Sequence, residues 1–329
     1  MIHWIDSADD PRLDPYRHVA DPAWIGDRHL FVAEGRLVVE RLLGLDRFDV
    51  HSILLNRAAH ASLGEALSRA AAPVLVCADA SHLAAITGYN FHRGCLALVT
   101  RPPSLTPAEL FSCRRILALE SVGNPDNVGG LFRTAAALGV DGVLLDPRSG
   151  DPFYRKAIRT SMSAALRIPF ARAEEWRATL AAFRDRGFKV IALTPSASAV
   201  DLSELPPPGA DDRVIVMVGA EGPGLDRESL EEADLRVRIA IDEAVDSLNV
   251  VVAAAIALDR LRSAGGSGVR RFGVGISKGN QPSFRLQRND RIDSRRAPCG
   301  AETSQAGDDE HEGRRDGEGD WIGRGDLKQ

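Results

Sequence analysis

The chain has 329 residues, 44% of them hydrophobic, and a formal net charge of −5. It is long enough for two domains with sizeable cores, and it lacks the global positive field that would draw in nucleic acid, so any such contact must come from local basic patches. The four cysteines, at 77, 95, 113 and 299, form no CxxC pair, which argues against a zinc ribbon or a dithiol redox site and suits reduced thiols.

Residues 1–19, beginning "MIHWIDSADDPRLDPY", are acidic and have no apolar signal-peptide core; they read as an N-terminal extension. The longest apolar run, Val250–Leu258, is too short to span a bilayer. A cytoplasmic protein with no membrane partner is expected. Residues 20–100 alternate between strand and helix patterns: extended "HLFVAEG", an amphipathic helix at 36–45, strand 51–56, helix 60–71, strand 73–77, helix 81–86 and strand 95–100. Pro102, Pro103 and Pro107 mark 101–113 as a linker.

A second α/β unit is expected over 114–264. Its strand patterns lie at 115–121, 142–146, 189–194, 213–219 and 235–241. Several are apolar at every position, as parallel strands covered on both faces should be. Helices are expected at 127–139, 152–166, 174–186, 226–233 and 248–262. From Gly265 to Gln329 the chain is rich in Gly, Arg, Asp and Ser with little periodicity, and reads as a disordered tail.

The usual cofactor signatures are missing. There is no GxGxxG after a strand, no GxxxxGK[ST], no GxSxG elbow and no His/Cys/Asp/Glu cluster with ligand spacing; no metal is expected. Three unusual loops remain, each following a strand of the second unit, where open parallel sheets place their ligands. They are "ESVGNPDNVGGLFRTA" (120–135), "VGAEGPGLD" (218–226) and "IAIDEAVDSLNVVVAAAIAL" (239–258). In the first, Val128, Leu131, Phe132, Ala135 and Leu138 form an apolar helix stripe. The opposite face reads Gly129, Gly130, Ala136 and Ala137, with Arg133 as its one charge. So small a face admits the close approach of another backbone or a ligand. Taken singly, each loop has a plain structural reading: a turn and cap at Asn124–Asn127, glycines with positive φ, an N-cap at Ser247, a solvated Arg133.

Taken together, "NPDNVGGLFRTAAALGV", "GAEGPGL" and "SLNVVVAAAIAL" resemble, in order and spacing, the three signature motifs of the SpoU/TrmH family of RNA 2′-O-ribose methyltransferases, within the SPOUT superfamily. "DPFYRKAIRTSMSAALRIP" (151–169) is similar to the segment that follows the first motif in many members, and the first unit resembles the family's small substrate-binding domain. The resemblance implies an α/β fold with a parallel sheet and a C-terminal trefoil knot, S-adenosylmethionine as cofactor, and a homodimer. It implies methyl transfer to a ribose 2′-hydroxyl of RNA, ribosomal RNA ahead of transfer RNA. It assigns Arg133 to the reaction, with Asn124, Asn127, Glu221, Ser247 and Asn249 completing the site. It assigns cofactor contacts to Thr194, Gly219, Gly222, Ile239 and Leu248, the glycines letting backbone approach the ligand. Guanidinium stays protonated in proteins, so gripping a phosphate and stabilising a developing alkoxide suits Arg133 better than acting as a base. The chain departs from the pattern at "IAIDEA" (239–244), which lacks the usual Pro and Gly, and at Val251, where Ser is common. A tRNA 2′-O-methyltransferase, a knotted enzyme that methylates a base nitrogen and a non-catalytic RNA-binding protein are the alternatives.

Overall fold

A computed structural model describes residues 1–77, 83, 86–88, 94–242 and 244–262. Most of the expected helix 81–86 and all of the tail 265–329 lie outside the described residues.

The first sheet runs in the order β1-β4-β3-β5-β2, from β1 (Ile2–Ile5), β2 (Leu30–Glu34), β3 (Val50–Asn56), β4 (Val74–Cys77) and β5 (Cys95–Thr100). β1, β4 and β3 are parallel, whereas β5 runs antiparallel to both β3 and β2. Helices α3 (Arg36–Leu43) and α4 (Arg57–Ser68) cover one face. The other is covered by the N-terminal segment with its short helices α1 (Asp14–Arg17) and α2 (Pro22–Asp27). Residues 1–19, read as an extension, therefore belong to this sheet: Leu13 and Tyr16 are fully buried, and the Tyr16 hydroxyl pairs with Ser52 Oγ at 2.8 Å.

The second sheet has seven strands in the order β10-β12-β9-β11-β6-β7-β8, and every pairing in it is parallel. They are β6 (Arg115–Glu120), β7 (Gly142–Leu145), β8 (Phe170–Arg172), β9 (Phe188–Leu193), β10 (Val200–Asp201), β11 (Arg213–Gly219) and β12 (Leu235–Arg238). Both faces are covered, which is why these strands are apolar at successive positions. Leu117, Leu119, Val216 and Val218 face a core completed by α5 (Pro125–Ala137) and α9 (Val250–Arg260). Ile116, Ala118, Ile215 and Met217 face the opposite core, which holds Leu180 and Phe183 of α7 (Trp176–Arg184).

The helix expected over 152–166 breaks in two. α6 (Arg155–Thr160) stops before Met162 and Ser163, which carry φ of 51° and 67°, and a 3-10 turn follows at Ala164–Leu166. This segment completes the first sheet's core. Phe153, Ile158 and Leu166 are buried among Phe31, Val38 and Leu55. A run of aromatic contacts, Phe48–Phe31–Phe153–Phe170–Phe132, passes from the first sheet to α5. Polar bonds reinforce the join: Arg41 donates to Met162 O at 2.5 Å, Arg47 to Leu166 O at 2.6 Å, and Arg101 pairs with Asp151 at 2.5 Å. Glu34, 5% exposed, pairs with Arg155 and Arg159.

Candidate active site

The three motif loops converge at the carboxyl ends of β6, β9, β11 and β12. The first begins at Ser121, a non-glycine residue with φ 57°. Such a conformation costs free energy and persists only where its surroundings enforce it. Here the buried Asp146 carboxylate accepts the Ser121 amide at 3.0 Å and the Ser149 amide at 2.7 Å. Burial opposes ionisation of Asp146, but bonds from Ser149, Ser121 and Arg148 outweigh it and hold the carboxyl below the ordinary aspartate range. Asn124 then caps α5, its side chain accepting the Asp126 amide at 2.9 Å. Val128, Leu131, Phe132 and Ala135 are fully buried, as the stripe predicts.

The small face of α5 has three fates. Gly129 packs on α6: a Cβ there would lie 2.6 Å from Ala157 O and 2.8 Å from Thr160 Cβ. Gly130 packs on α9, where a Cβ would lie 2.7 Å from Val251 Cγ2. Val251, the residue that departs from the family pattern, thus fills the space a glycine leaves. Ala136, Ala137 and Arg133 are exposed. Arg133 lies one turn beyond the glycine pair, on the stripe between them, and makes no hydrogen bond or ion pair among the described residues.

The second loop closes on itself. Gly224 N–H donates to Ala220 O at 3.0 Å. A Cβ on Gly219 would fall 2.2 Å from the Gly224 carbonyl carbon. Gly222 and Gly224 adopt φ of 88° and 73°, and a Cβ on either would meet nothing within 4 Å. Gly219 makes room for the loop's own backbone, and Gly222 supplies a left-handed φ.

The third loop ends in Asn249, which ties all three together. Its Oδ1 caps α9 by accepting the Val251 amide at 2.9 Å. Its amide nitrogen donates to Glu221 Oε1 at 2.7 Å and to Asn127 Oδ1 at 3.2 Å. Beside this junction lies a cavity of about 450 Å³, within the size range of small-molecule sites. Thr194, Gly219, Gly222, Ile239 and Leu248 all line it, together with Glu221, Ser247 and Asn249. Asn124, Asn127 and Arg133 do not. Arg133 is six residues beyond Asn127 on the same helix, about 9 Å along the axis, and stays apart from the junction.

Several further residues support the site. Val218 and Ala253, from the second and third motif loops, also line the cavity, and so does Leu193, which in sequence is an ordinary strand residue. Glu120, 1% exposed at the end of β6, accepts the Asp226 amide at 2.9 Å and Trp176 Nε1 at 3.2 Å. Burial pushes its carboxyl above the ordinary glutamate range, against the pull of bonds from Ser229, Asp226 and Trp176. Among the described residues there is no group of three His, Cys, Asp or Glu placed to hold a metal, and no helix long and apolar enough to cross a membrane.

Residues 114–259 match the SpoU rRNA Methylase family. A Mycobacterium tuberculosis protein described as an uncharacterized tRNA/rRNA methyltransferase is 38% identical over 261 residues, covering 78% of this chain and 90% of that protein. Two solved structures show the fold. One is an rRNA methyltransferase from Sinorhizobium meliloti with AdoMet bound: TM-score 0.67, 23% identity, covering 79% of this chain and 97% of that one. The other is the SpoU methyltransferase AviRb from Streptomyces viridochromogenes in complex with AdoMet: TM-score 0.63, 17% identity, covering 77% of this chain and 97% of that one. Motif order, strand-end cavity and sequence identity over most of the chain agree: this protein belongs to the SpoU rRNA methylase family and is an RNA methyltransferase.

Proposed function

We propose that the protein transfers a methyl group from S-adenosylmethionine to a ribose 2′-hydroxyl of ribosomal RNA. The observation that carries this reading is the Asn249 junction, which joins the three motifs at the mouth of one cavity. The cavity suits the cofactor. Leu193, Val218, Ile239 and Leu248 offer apolar walls for an aromatic base, and Thr194, Glu221 and Ser247 offer polar groups for ribose and amino acid. When bound, S-adenosylmethionine supplies an electrophilic methyl on a sulfonium.

The chain's own residues do the rest by positioning. Asn249 holds Glu221 by one oxygen. Glu221 Oε2 makes no hydrogen bond among the described residues and is available to accept one from the attacking hydroxyl. Asn127, held by the same amide, fixes the start of α5. Arg133 grips the phosphate next to the target ribose and steadies the oxygen as its proton leaves.

Arg133 needs a route to that junction, and a homodimer supplies it. Val252 and Ile256 of α9 are 47% and 40% exposed, and Ala136 and Ala137 of α5 are exposed too; these apolar side chains, on two helices that meet at Gly130 and Val251, suit a second copy. The first unit, residues 20–100 together with the N-terminal segment that completes its sheet, is the RNA-binding part, 101–113 its linker, and 114–264 the knotted methyltransferase part. Its substrate is ribosomal rather than transfer RNA because the chain carries a separate substrate-binding unit, and it works in the cytoplasm. Digestion of methylated RNA with alkali tests the chemistry: cleavage needs a free 2′-hydroxyl, so a 2′-O-methyl product resists it. A cleavable methylated product would indicate base methylation, and no methylation at all a non-catalytic RNA-binding protein.

A further inference from the structure

The loop 219–226 carries much of the cavity wall, and one buried side chain stands at its base. At the entrance, Gly219 of β11 is paired in register with Glu120 of β6. At the exit, the Asp226 amide donates to Glu120 Oε1 at 2.9 Å. Glu120 Oε2 accepts Trp176 Nε1 at 3.2 Å, and that indole also reaches Ser229 Oγ at 3.1 Å in α8 (Arg227–Glu232). A single residue therefore pins the entrance by its backbone and the exit by its side chain. Between those points lie Ala220, Glu221, Gly222 and Gly224, all on the cavity.

Beyond the Asn249 bond to Glu221 and the buried side chain of Leu225, the loop has little else to hold it. Gly222 and Gly224 give it backbone freedom, and its internal closure is the bridge between Ala220 and Gly224. The Asp226 side chain reaches outward to Arg148 at 2.6 Å, an exposed pair of small worth. The bonds to Glu120 are different: buried, charge-assisted and directed at the backbone.

We infer that Glu120 is a positioning residue, setting the second-motif loop so that its backbone forms the cofactor wall and Glu221 meets Asn249. This rests on the reading of the cavity as the cofactor site. Glu120 need touch neither cofactor nor RNA. It must be a carboxylate because two donors, the Asp226 amide and the Trp176 indole, point at its two oxygens.

Glu120→Gln keeps the shape but leaves one donor facing an N–H. Its dissociation constant for S-adenosylmethionine should rise about tenfold or more, the scale of a lost hydrogen bond to a charged group. The KM for cofactor should rise with it while the KM for RNA stays put. Adding Trp176→Phe removes the conflicting donor, so the double variant should recover most of the affinity. Hydrogen exchange of the cofactor-free protein reads the loop directly, and should quicken across 220–226 in Glu120→Gln but not in β6 or β11. Should Glu120→Gln fail to fold, Asp226→Pro deletes the loop's donor at a φ of −63° that proline accepts, and Asp226→Ala retains it. The proline variant should lose at least tenfold in affinity, and the alanine variant should bind nearly as the parent does. Unchanged exchange and affinity in Glu120→Gln, no recovery in the double variant, or equal affinities for the two Asp226 variants would overturn the assignment. A parent protein that binds no S-adenosylmethionine would instead overturn the proposed function, and the exchange measurement would still judge Glu120.

Discussion

The Asn249 side-chain amide donates to Glu221 Oε1 at 2.7 Å, and the orientation of that amide is set by a separate task. Its oxygen is committed to the Val251 N–H as the cap of α9, so its nitrogen must face Glu221 and Asn127. Helix capping and site assembly thus share one residue.

Asn249→Asp separates the two tasks. Aspartate caps helices as well as asparagine does, so the melting temperature should move by only a few degrees. It donates nothing and sets a second carboxylate against Glu221. Methyl transfer should fall by about a hundredfold or more, the scale of losing a preorganised polar contact in a reaction site. Turnover and melting measured on one preparation decide it; normal turnover would remove Asn249 from the site.

Arg133→Lys keeps the charge and loses the planar fork. The side chain is exposed and unpartnered among the described residues, so stability should barely change. Turnover on RNA should drop by about a hundredfold, with S-adenosylmethionine affinity retained. A solvated surface arginine would give the reverse pattern, near-normal activity.

The two glycines of α5 should respond unequally to alanine. Gly129→Ala drives a methyl into the Ala157 carbonyl and Thr160, and should cost about 1–3 kcal/mol. The nearest atoms Gly130→Ala meets belong to the side chain of Val251. The gain in helix propensity, about 1 kcal/mol, should offset most of that contact. Chemical denaturation of both variants tests the ranking.

Asp146 gives a pH signature. Its folded-state pKa lies below the unfolded one, so it stabilises the protein at pH above the unfolded value of about 4. That contribution disappears as the pH falls through the lower folded value. Asp146→Asn should be less stable than the parent at pH 7 by about 1–3 kcal/mol, and the gap should narrow below pH 4. A gap that is constant with pH would show that the carboxylate's charge is irrelevant.

Phe153→Ala removes a second-unit ring from the first unit's core. It stacks on Phe31 with centroids 4.8 Å apart, and its loss should cost about 3–5 kcal/mol. Calorimetry should show one transition moving as a whole, since both units lose the same contact.

The strands of the parallel sheet with long apolar runs were legible in the sequence, and so were the motif loops: β6, β9 and β11 fall within a residue or two of expectation. The five cofactor positions implied by the family resemblance all reach one cavity. What escaped was short or long-range. β1, β8 and β10 have four, three and two residues, too few to establish a period. The break at Met162 and Ser163 sits on residues that rarely adopt positive φ. Glu120 looked like the end of a strand because its partners, Trp176 and Asp226, lie 56 and 106 residues away.

The seating of Phe153, Ile158 and Leu166 in the first sheet's core has a bearing on biosynthesis. Domains usually fold as they leave the ribosome, the N-terminal one first. Here the last strand of the first sheet ends at Thr100, yet its core is complete only with Leu166. At about 5–20 residues per second, the nascent sheet waits roughly 3–13 s with an unfilled apolar socket. The first half of the chain is thus an acceptor awaiting its own downstream segment, and pausing of translation between residues 100 and 166 should lengthen the interval in which chaperones find it.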